Sequence, residues 1–583
     1  MPIYQLRLQN FMAFNDTGWI ELRRLNLLVG RNSSGKTVVI RALRLMKQSY
    51  LAAGNDQPLM FDTKGGVDIG SFETMLHQQE LGILETPGLP SASASYGKES
   101  KEVEEMGDDE ARHWSEPVTF GFRGVITTQS LPGTQQEQQV KWKMLTKVFD
   151  VNAETNKLLF EVSLSYSDHT KDTRRVRLKK FEFGTLQHET DEESNPTLGF
   201  DFLEDYVYSS LLSKTPAQLQ DIFGLKNENQ FLPDLDLKVG AADLRNDERT
   251  ANEIIKLYWD ACKQEIGKFL MSIQHIGPIR PRPERSYLIT DELYRTWEQR
   301  GWKFYLDYLL GQLTSDQYDR LCKWLRIMRL GEKLAPNPLL KERVGSLRGY
   351  VELLLDERGQ DNKTNKRNLL DVGYGASQII PIIVACLKAD RDALVLIEQP
   401  ELHLHPEAQA RIADLLIESI NERIPESFDA NPVQSLKRDE RIEKAQELRK
   451  EAKAKGKPIS RRFLVETHSE HLLLRLQLRI AETTYHKWQP DSEQSPRNKG
   501  FSIREHDFGL IFVRRDEDGS FTEWLQADEM GTLKTPSGRT PSKVFQEFFK
   551  SGYYEIVGLA ETQRDLDSMK ESEEDRENDE NSD

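Results

Sequence analysis

Apolar positions along the chain fall into two patterns, short runs or alternations that suit strands and recurrences every three to four residues that suit helices. Near the beginning, IYQLRL and WIELRRLNLLVG read as strands, and after a polar loop Val39, Leu43, Met46 and Tyr50 fall on one helical face. This rhythm predicts the opening of an α/β domain over residues 1–84. Between 117 and 200, VTFGFRGVITT, QVKWKMLTKVF, KLLFEVSLSYS and RRVRLKKFEF predict an antiparallel β lobe. Residues 201–340 turn mostly helical, as in SDQYDRLCKWLRIMRL, where Leu321, Leu325 and Met328 share a stripe. Strand and helix alternate again over 341–430, through YVELLLD, a helix opening near Ser377, the strand ALVLI, and a helix from Glu407 with Ala408, Ile412, Leu415 and Leu416. Over 461–562 the strand RFLVETH is followed by GLIFVRRDEDGSFTEWL, a hairpin expected to turn at Asp518 and Gly519. The expectation is therefore an α/β domain split by a large insertion that holds a β lobe and a helical lobe.

Three segments stand apart from these patterns. Residues 85–116 are rich in Ser, Gly and Glu and read as a mobile acidic loop. Residues 431–460, almost wholly charged and built of good helix formers, read as an exposed helical insertion. Residues 563–583 are acidic with few apolar side chains, so they read as a disordered tail.

Composition narrows the classes further. With 583 residues and 37% hydrophobic content the chain can build several cores. No apolar run reaches membrane-spanning length, and MPIYQLRLQNF lacks a secretory pattern, so a cytoplasmic protein without membrane contact is expected. Cys262, Cys322 and Cys386 lie far apart without a CxxC pair, which argues against disulfides or zinc. A net charge of −16 argues against coating nucleic acid with the whole surface. Local contacts remain open at two places, Arg175, Arg177 and Lys179 on one strand face, and Arg280, Arg282 and Arg285 in a proline-rich turn.

The sharpest chemical signal is GRNSSGKT at residues 30–37, which satisfies G-x-x-x-x-G-K-[ST] between an apolar strand and an amphipathic helix. Gly30 and Gly35 let the backbone N–H groups of Arg31, Asn32, Ser33 and Ser34 turn toward a phosphate at the helix N-terminus. Lys36 would neutralise the β- and γ-phosphates of ATP, and the Thr37 hydroxyl would ligate Mg²⁺. In LVLIEQPELHLHP an apolar strand ends on Glu398, the expected magnesium-side carboxylate, with Gln399 and Glu401 close behind. In DVGYGASQIIP, Gly373, Gly375 and Ser377 form a glycine-bearing turn into a helix, a second anion-binding N-terminus. In ETHSEHLLLRL, His468 follows a strand and is placed to meet the γ-phosphate or the attacking water.

The order of these motifs resembles the ABC-type ATPases of the SMC, RecF and OLD group. LQNFMAFND, DIGSFETMLH, HIGPIRPRPERSY, VGYGASQIIP, IEQPELHLHP and ETHSEHLL together look like the stand-alone AAA-family ATPases that resemble OLD proteins, many of which occur in bacterial defence operons. The resemblance covers roughly residues 1–80 and 270–530. It implies an ABC-type head in which Lys36 and Thr37 bind phosphate and magnesium, Glu398 is the magnesium-linked acid, the turn at Gly373, Gly375 and Ser377 acts on the nucleotide of a second copy, and His468 is the switch histidine. It also implies a lid glutamine, for which Gln78 and Gln79 are equal candidates. Two departures stand out. Gln399 occupies the place of the catalytic glutamate, and it orients water without accepting a proton, so hydrolysis is slow or Glu401 supplies the base. The turn also lacks a serine directly before its first glycine. Nothing after Arg479 resembles the nuclease domain of OLD enzymes, so the expected partners are a second copy of the chain and a separately encoded effector such as a nuclease or toxin. Direct duplex binding, as in a repair clamp of the RecF type, and a nucleotide switch with little hydrolysis are the alternatives.

Overall fold

Leu25–Gly30 is buried along its whole length in the computed structural model, as an apolar run without polar alternation requires of a strand covered on both faces. Its parallel neighbours are Arg462–Glu466 on one side and Phe508–Asp516 on the other. Beyond Arg462–Glu466 come Leu394–Glu398 and then Ile273–Ile276, both parallel. Five strands from five separate stretches of the chain thus form a parallel core. The structure describes residues 3–52, 58–61, 66–69, 72–76, 117–149, 157–168, 176–186, 188, 195–201, 206–209, 212, 214–227, 230–238, 246–280, 282–288, 313–338, 350–358, 364–424, 457–488, 501–516, 519–542, 545 and 562–564.

Past Phe508–Asp516 the sheet reverses direction. Gly519–Ala527 pairs antiparallel with it, with Asp516 opposite Gly519, as the hairpin pattern predicts, although the expected turn residue Asp518 lies outside the described residues. The sheet continues through Phe14–Asp16 and Ile3–Phe11 into Val118–Thr127, Lys157–Asp168, Val176–Leu186, Asn195–Asp201 and Tyr206–Tyr208. The antiparallel strands expected between 117 and 200 are therefore hydrogen-bonded onto the first strand of the chain, Leu6 opposite Phe122 and Leu8 opposite Phe120, within one 15-stranded sheet.

One segment of that region departs from expectation. QVKWKMLTKVF belongs to the α-helix Gln135–Val148, not to a strand. Alternation of Val140, Trp142 and Met144 mimics a strand, but Val140 and Met144 are exposed while Trp142, Leu145 and Phe149 are buried, a helical stripe. Thr134 caps the helix, accepting from Glu137 N while the Glu137 carboxylate accepts from Thr134 N.

Over 201–340 the described helices are Pro216–Ile222, Asn246–Ser272 and Ser315–Ile327, and short strands interrupt them. Asn246–Ser272 lies across the antiparallel strands, where Trp259 meets Phe181 edge-on and Tyr258 packs on Phe149. One hydrophobic core runs from the helix Lys36–Leu51 through these aromatics, so the phosphate-loop helix and the antiparallel strands share an interior. The other face of the parallel core is covered by Tyr374–Lys388, Pro406–Ile420 and Glu470–Trp488. The last two are stapled by Asp414, wholly buried, whose carboxylate accepts from Arg479 at 2.7 and 3.1 Å and also faces Arg411 and Arg475.

The acidic loop 85–116, Gln78, Gln79 and Arg175 lie outside the described residues. So do 431–456 of the charged insertion, whose remainder includes the strand Lys457–Pro458 paired with Arg423–Ile424. Of the acidic tail, residues 563 and 564 are described, and Gln563 donates to Met530 O.

Candidate functional site

The carboxyl ends of the parallel strands gather the chemistry, as expected for an open α/β sheet. Gly30 has a φ of 153°, and a Cβ there would stand 2.3 Å from Val513 O. Gly35, at φ 99°, would push a Cβ to 3.0 Å from Ala13 Cβ. Both positions of the motif are thus reserved for glycine by the strand and loop that flank them. Arg31, Asn32 and Ser33 are exposed and Ser34 is buried. Lys36 is also buried, with its Nζ donating to Gly30 O at 3.0 Å and Arg31 O at 2.8 Å. Burial lowers its pKa, and the Glu466 and Glu401 carboxylates act in the opposite direction.

Thr37 Oγ1 donates to Glu466 Oε1 at 2.8 Å. Glu466 ends the strand directly beside the phosphate-loop strand and is only 3% exposed. Its Oε2 is buried without a hydrogen-bond partner. Burial pushes its carboxyl pKa up and the charges of Glu398 and Glu401 add to that, against the Thr37 hydrogen bond and Lys36. Sequence reasoning passed over this residue. The available signal was an acid at the last position of a buried strand, immediately before Thr467 and His468.

Glu398 lies one strand further out, in register with Glu466, and its Oε1 is 2.5 Å from His275 Nε2. Burial lowers the His275 pKa, opposed by the hydrogen bond to Glu398. Gln399 takes a left-handed backbone, φ 44°. The turn is held by Gln399 N donating to Glu466 O at 2.8 Å and by Arg280 Nη2 donating to Glu398 O at 2.7 Å. Glu401 uses both oxygens on the next strand's end, accepting from Thr467 Oγ1 at 2.8 Å and His468 N at 2.6 Å. Its pKa is raised by burial despite these bonds. His468 is half-buried, with its pKa lowered by burial and by Lys36. The structure thus brings Lys36, Thr37, Glu398, Gln399, Glu401 and His468 to adjoining strand ends.

Gly373, Gly375 and Ser377 open a different helix of the chain. Gly373 caps the helix Tyr374–Lys388, and a Cβ on it would meet nothing within 4 Å. Gly375 is close-packed, since its Cβ would come to 3.0 Å from His403 O. Ser377 is buried with its hydroxyl donating to Tyr374 O at 2.7 Å. Tyr374 is exposed and meets His403 edge-on. The turn's neighbours belong to the segment after Glu398, and its helix N-terminus faces outward.

The two basic groups divide as well. Arg280 is 3% exposed with Nη2 donating to Glu398 O and Gln399 O, and Arg285 pairs with Asp371 at 2.7 Å in a largely exposed ion pair. Arg282 is exposed, as is Arg177 on the face opposite buried Val176 and Leu178, with Lys179 half-exposed beside it. Among the described residues no helix is long and apolar enough to cross a membrane.

Comparison with solved structures finds similarity to the SMC head domain from Thermotoga maritima, 10% identical with a TM-score of 0.30, over 90% of this chain and 98% of that one. A Pyrococcus furiosus Smc head domain with an extended coiled coil, bound to the C-terminal domain of ScpA, is 8% identical with a TM-score of 0.31, over 90% and 97%. Curated proteins give no match. A family profile described as "AAA domain, putative AbiEii toxin, Type IV TA system" matches residues 151–474. That span takes in the glycine turn, the Glu398 strand and the His468 strand, and the phosphate loop precedes it. It covers more than half of the chain, and the chain belongs to this AAA-domain family.

Proposed function

We propose that the protein binds and hydrolyses ATP with Mg²⁺, pairs with a second copy across the nucleotide, and through that pairing controls a separately encoded effector, a nuclease or toxin, in antiphage defence. The observation that carries the reading is Lys36, whose buried ammonium is satisfied by Gly30 O and Arg31 O, beside Thr37 and a partnerless carboxylate oxygen of Glu466. An ammonium held on carbonyls of its own loop exchanges them for β- and γ-phosphate oxygens at little cost in reorganisation. All-oxygen donors at the strand ends suit a hard cation, with Thr37 and the carboxylates, Glu398 among them, on its protein side. Held there, magnesium would neutralise charge on the phosphate oxygens.

Within the chain, Gln399 orients water and cannot take its proton, which makes turnover slow. Glu401 has both oxygens committed to Thr467 and His468, so it acts by holding His468 toward the phosphate instead of as the base. The outward Gly373 turn suits a contact with the nucleotide of the second copy in a twofold pair. The family description names a putative toxin of a toxin–antitoxin system, a two-component arrangement in which a chain of this family works with a separately encoded partner. Arg280 is buried on the Glu398 backbone, which removes one cation from the alternative of direct duplex binding, whereas Arg285 stays exposed beside Asp371.

Lys36→Ala tests the core of this reading. A fluorescent ATP analogue titrated into native and variant protein should show a loss of affinity of at least about tenfold, given the loss of a charged phosphate contact. Undiminished binding, or continued ATP-dependent pairing on a sizing column, would sink it.

A further inference from the structure

We infer that Glu466 is the carboxylate that, with Thr37, anchors the divalent cation of the bound nucleotide, and that Glu398 is a supporting acid held one strand away by His275. This rests on the ATP-binding reading and assigns a residue to its metal site that the motifs do not mark.

Three observations converge on Glu466. It is the acid that Thr37 touches, at 2.8 Å, because its strand is the immediate neighbour of the phosphate-loop strand. Glu398, on the next strand out, has one oxygen engaged by His275 at 2.5 Å. Second, Glu466 Oε2 is buried with no hydrogen-bond partner, although the residue is only 3% exposed. A buried charged acceptor without a partner is costly and is retained where a ligand completes it. Lys36 does not complete it, since its ammonium is directed at Gly30 O and Arg31 O. Third, Glu466 stands in register with a second carboxylate, Glu398. Like charges directly opposite each other are unfavourable unless a cation offsets them.

Lys36 is the nearby countercharge, but its ammonium is hydrogen-bonded to Gly30 O and Arg31 O and leaves Glu466 Oε2 unbonded. Thr37 would be equally well served by a neutral acceptor such as glutamine, so the negative charge has a use beyond holding Thr37. Among the described residues no group of three or more side chains forms a closed metal site. A cation of the magnesium type is bound by one or two carboxylates together with substrate phosphates and water. Thr37 and Glu466 supply the protein's share of that arrangement, and the nucleotide supplies the rest.

Mn²⁺ serves as the probe, titrated by electron paramagnetic resonance into the full chain with a non-hydrolysable ATP analogue. Glu466→Gln keeps the size and the acceptor for Thr37 while removing the charge, and Mn²⁺ affinity should fall by about 10- to 100-fold. Glu466→Asp keeps the charge but withdraws it by one methylene and should give an intermediate loss. Glu398→Gln should lose less than Glu466→Gln. Native-strength Mn²⁺ binding in both Glu466 variants, or a larger loss in Glu398→Gln, would overturn the assignment while leaving ATP binding intact. A native protein that binds no analogue would defeat the ATP-binding reading itself, and this inference with it.

Discussion

Gln399 and Glu466 carry opposite anomalies, a neutral side chain where a proton acceptor is expected and a charge where a neutral acceptor would suffice. The Gln399 turn is fixed by backbone groups, through Glu466 O, Arg280 and a left-handed φ. Gln399→Glu therefore changes the side-chain chemistry without disturbing the turn. With a positioned base in place, steady-state ATP turnover should rise about tenfold or more, and an unchanged rate would remove this side chain from the attacking water. Glu466 makes a stability prediction of definite sign. Its folded-state pKa is raised, chiefly by burial, so the folded chain holds the proton more tightly than the unfolded chain does. The resulting penalty is absent at pH below the ordinary carboxylate range, grows as pH climbs toward the folded pKa, and is complete above it. Nucleotide-free Glu466→Gln should then melt above the native protein near neutral pH, with the gap closing on acidification. A thermal scan at several pH values checks this. Stability gained together with metal affinity lost is the pattern of a residue kept for function.

Asp414 shows how two helices packed on the parallel strands depend on one buried acid. It is wholly buried between Pro406–Ile420 and Glu470–Trp488 and faces Arg411, Arg475 and Arg479. Asp414→Ala leaves buried guanidinium groups without a counter-charge and should cost about 3–5 kcal/mol, read as a shift in denaturant midpoint. The register of these helices matters for the site because Gln409 and Ser469, one on each side, are hydrogen-bonded at 2.7 Å beside the His468 turn. The strands that carry the site were largely legible in the sequence. Leu25–Gly30, Leu394–Glu398 and Arg462–Glu466 are apolar runs that end on a glycine or an acid, a pattern that survives without knowledge of neighbours. What the pattern could not supply was strand order. The pairing of Thr37 with Glu466 and of Glu398 with His275 depends on which strands lie side by side. His275 was hidden for another reason, since Ile273–Ile276 is four residues long and follows directly on a 27-residue helix. The helix Gln135–Val148 was misread because three alternate apolar residues outweighed its capping box and its buried stripe.

The continuous sheet joins the nucleotide end of the molecule to the antiparallel strands through Ile3–Phe11, and a single hydrophobic core runs beneath both. The helix that follows the phosphate loop and the antiparallel strands therefore pack on one interior. For pairing of two copies the informative position is Gly373. Glycine is often retained because the fold leaves no room for a side chain, as at Gly30 and Gly35, but that reason fails here. Gly373 has an ordinary φ of −51° and open space around its Cβ position. If the absence of a side chain serves anything, it serves something outside the protomer that must approach the backbone closely. Gly373→Gln should accordingly melt within about 2 degrees of the native protein, because exchanging glycine for a poorer N-cap at an allowed φ costs on the order of 1 kcal/mol, a small shift for a chain of this size. The same variant should lose the ATP-dependent pairing proposed above, measured by light scattering, and ATP turnover should fall with it. A variant that pairs as well as native protein would move the shared nucleotide away from this turn, and one that melts much earlier would return Gly373 to the internal architecture of the chain.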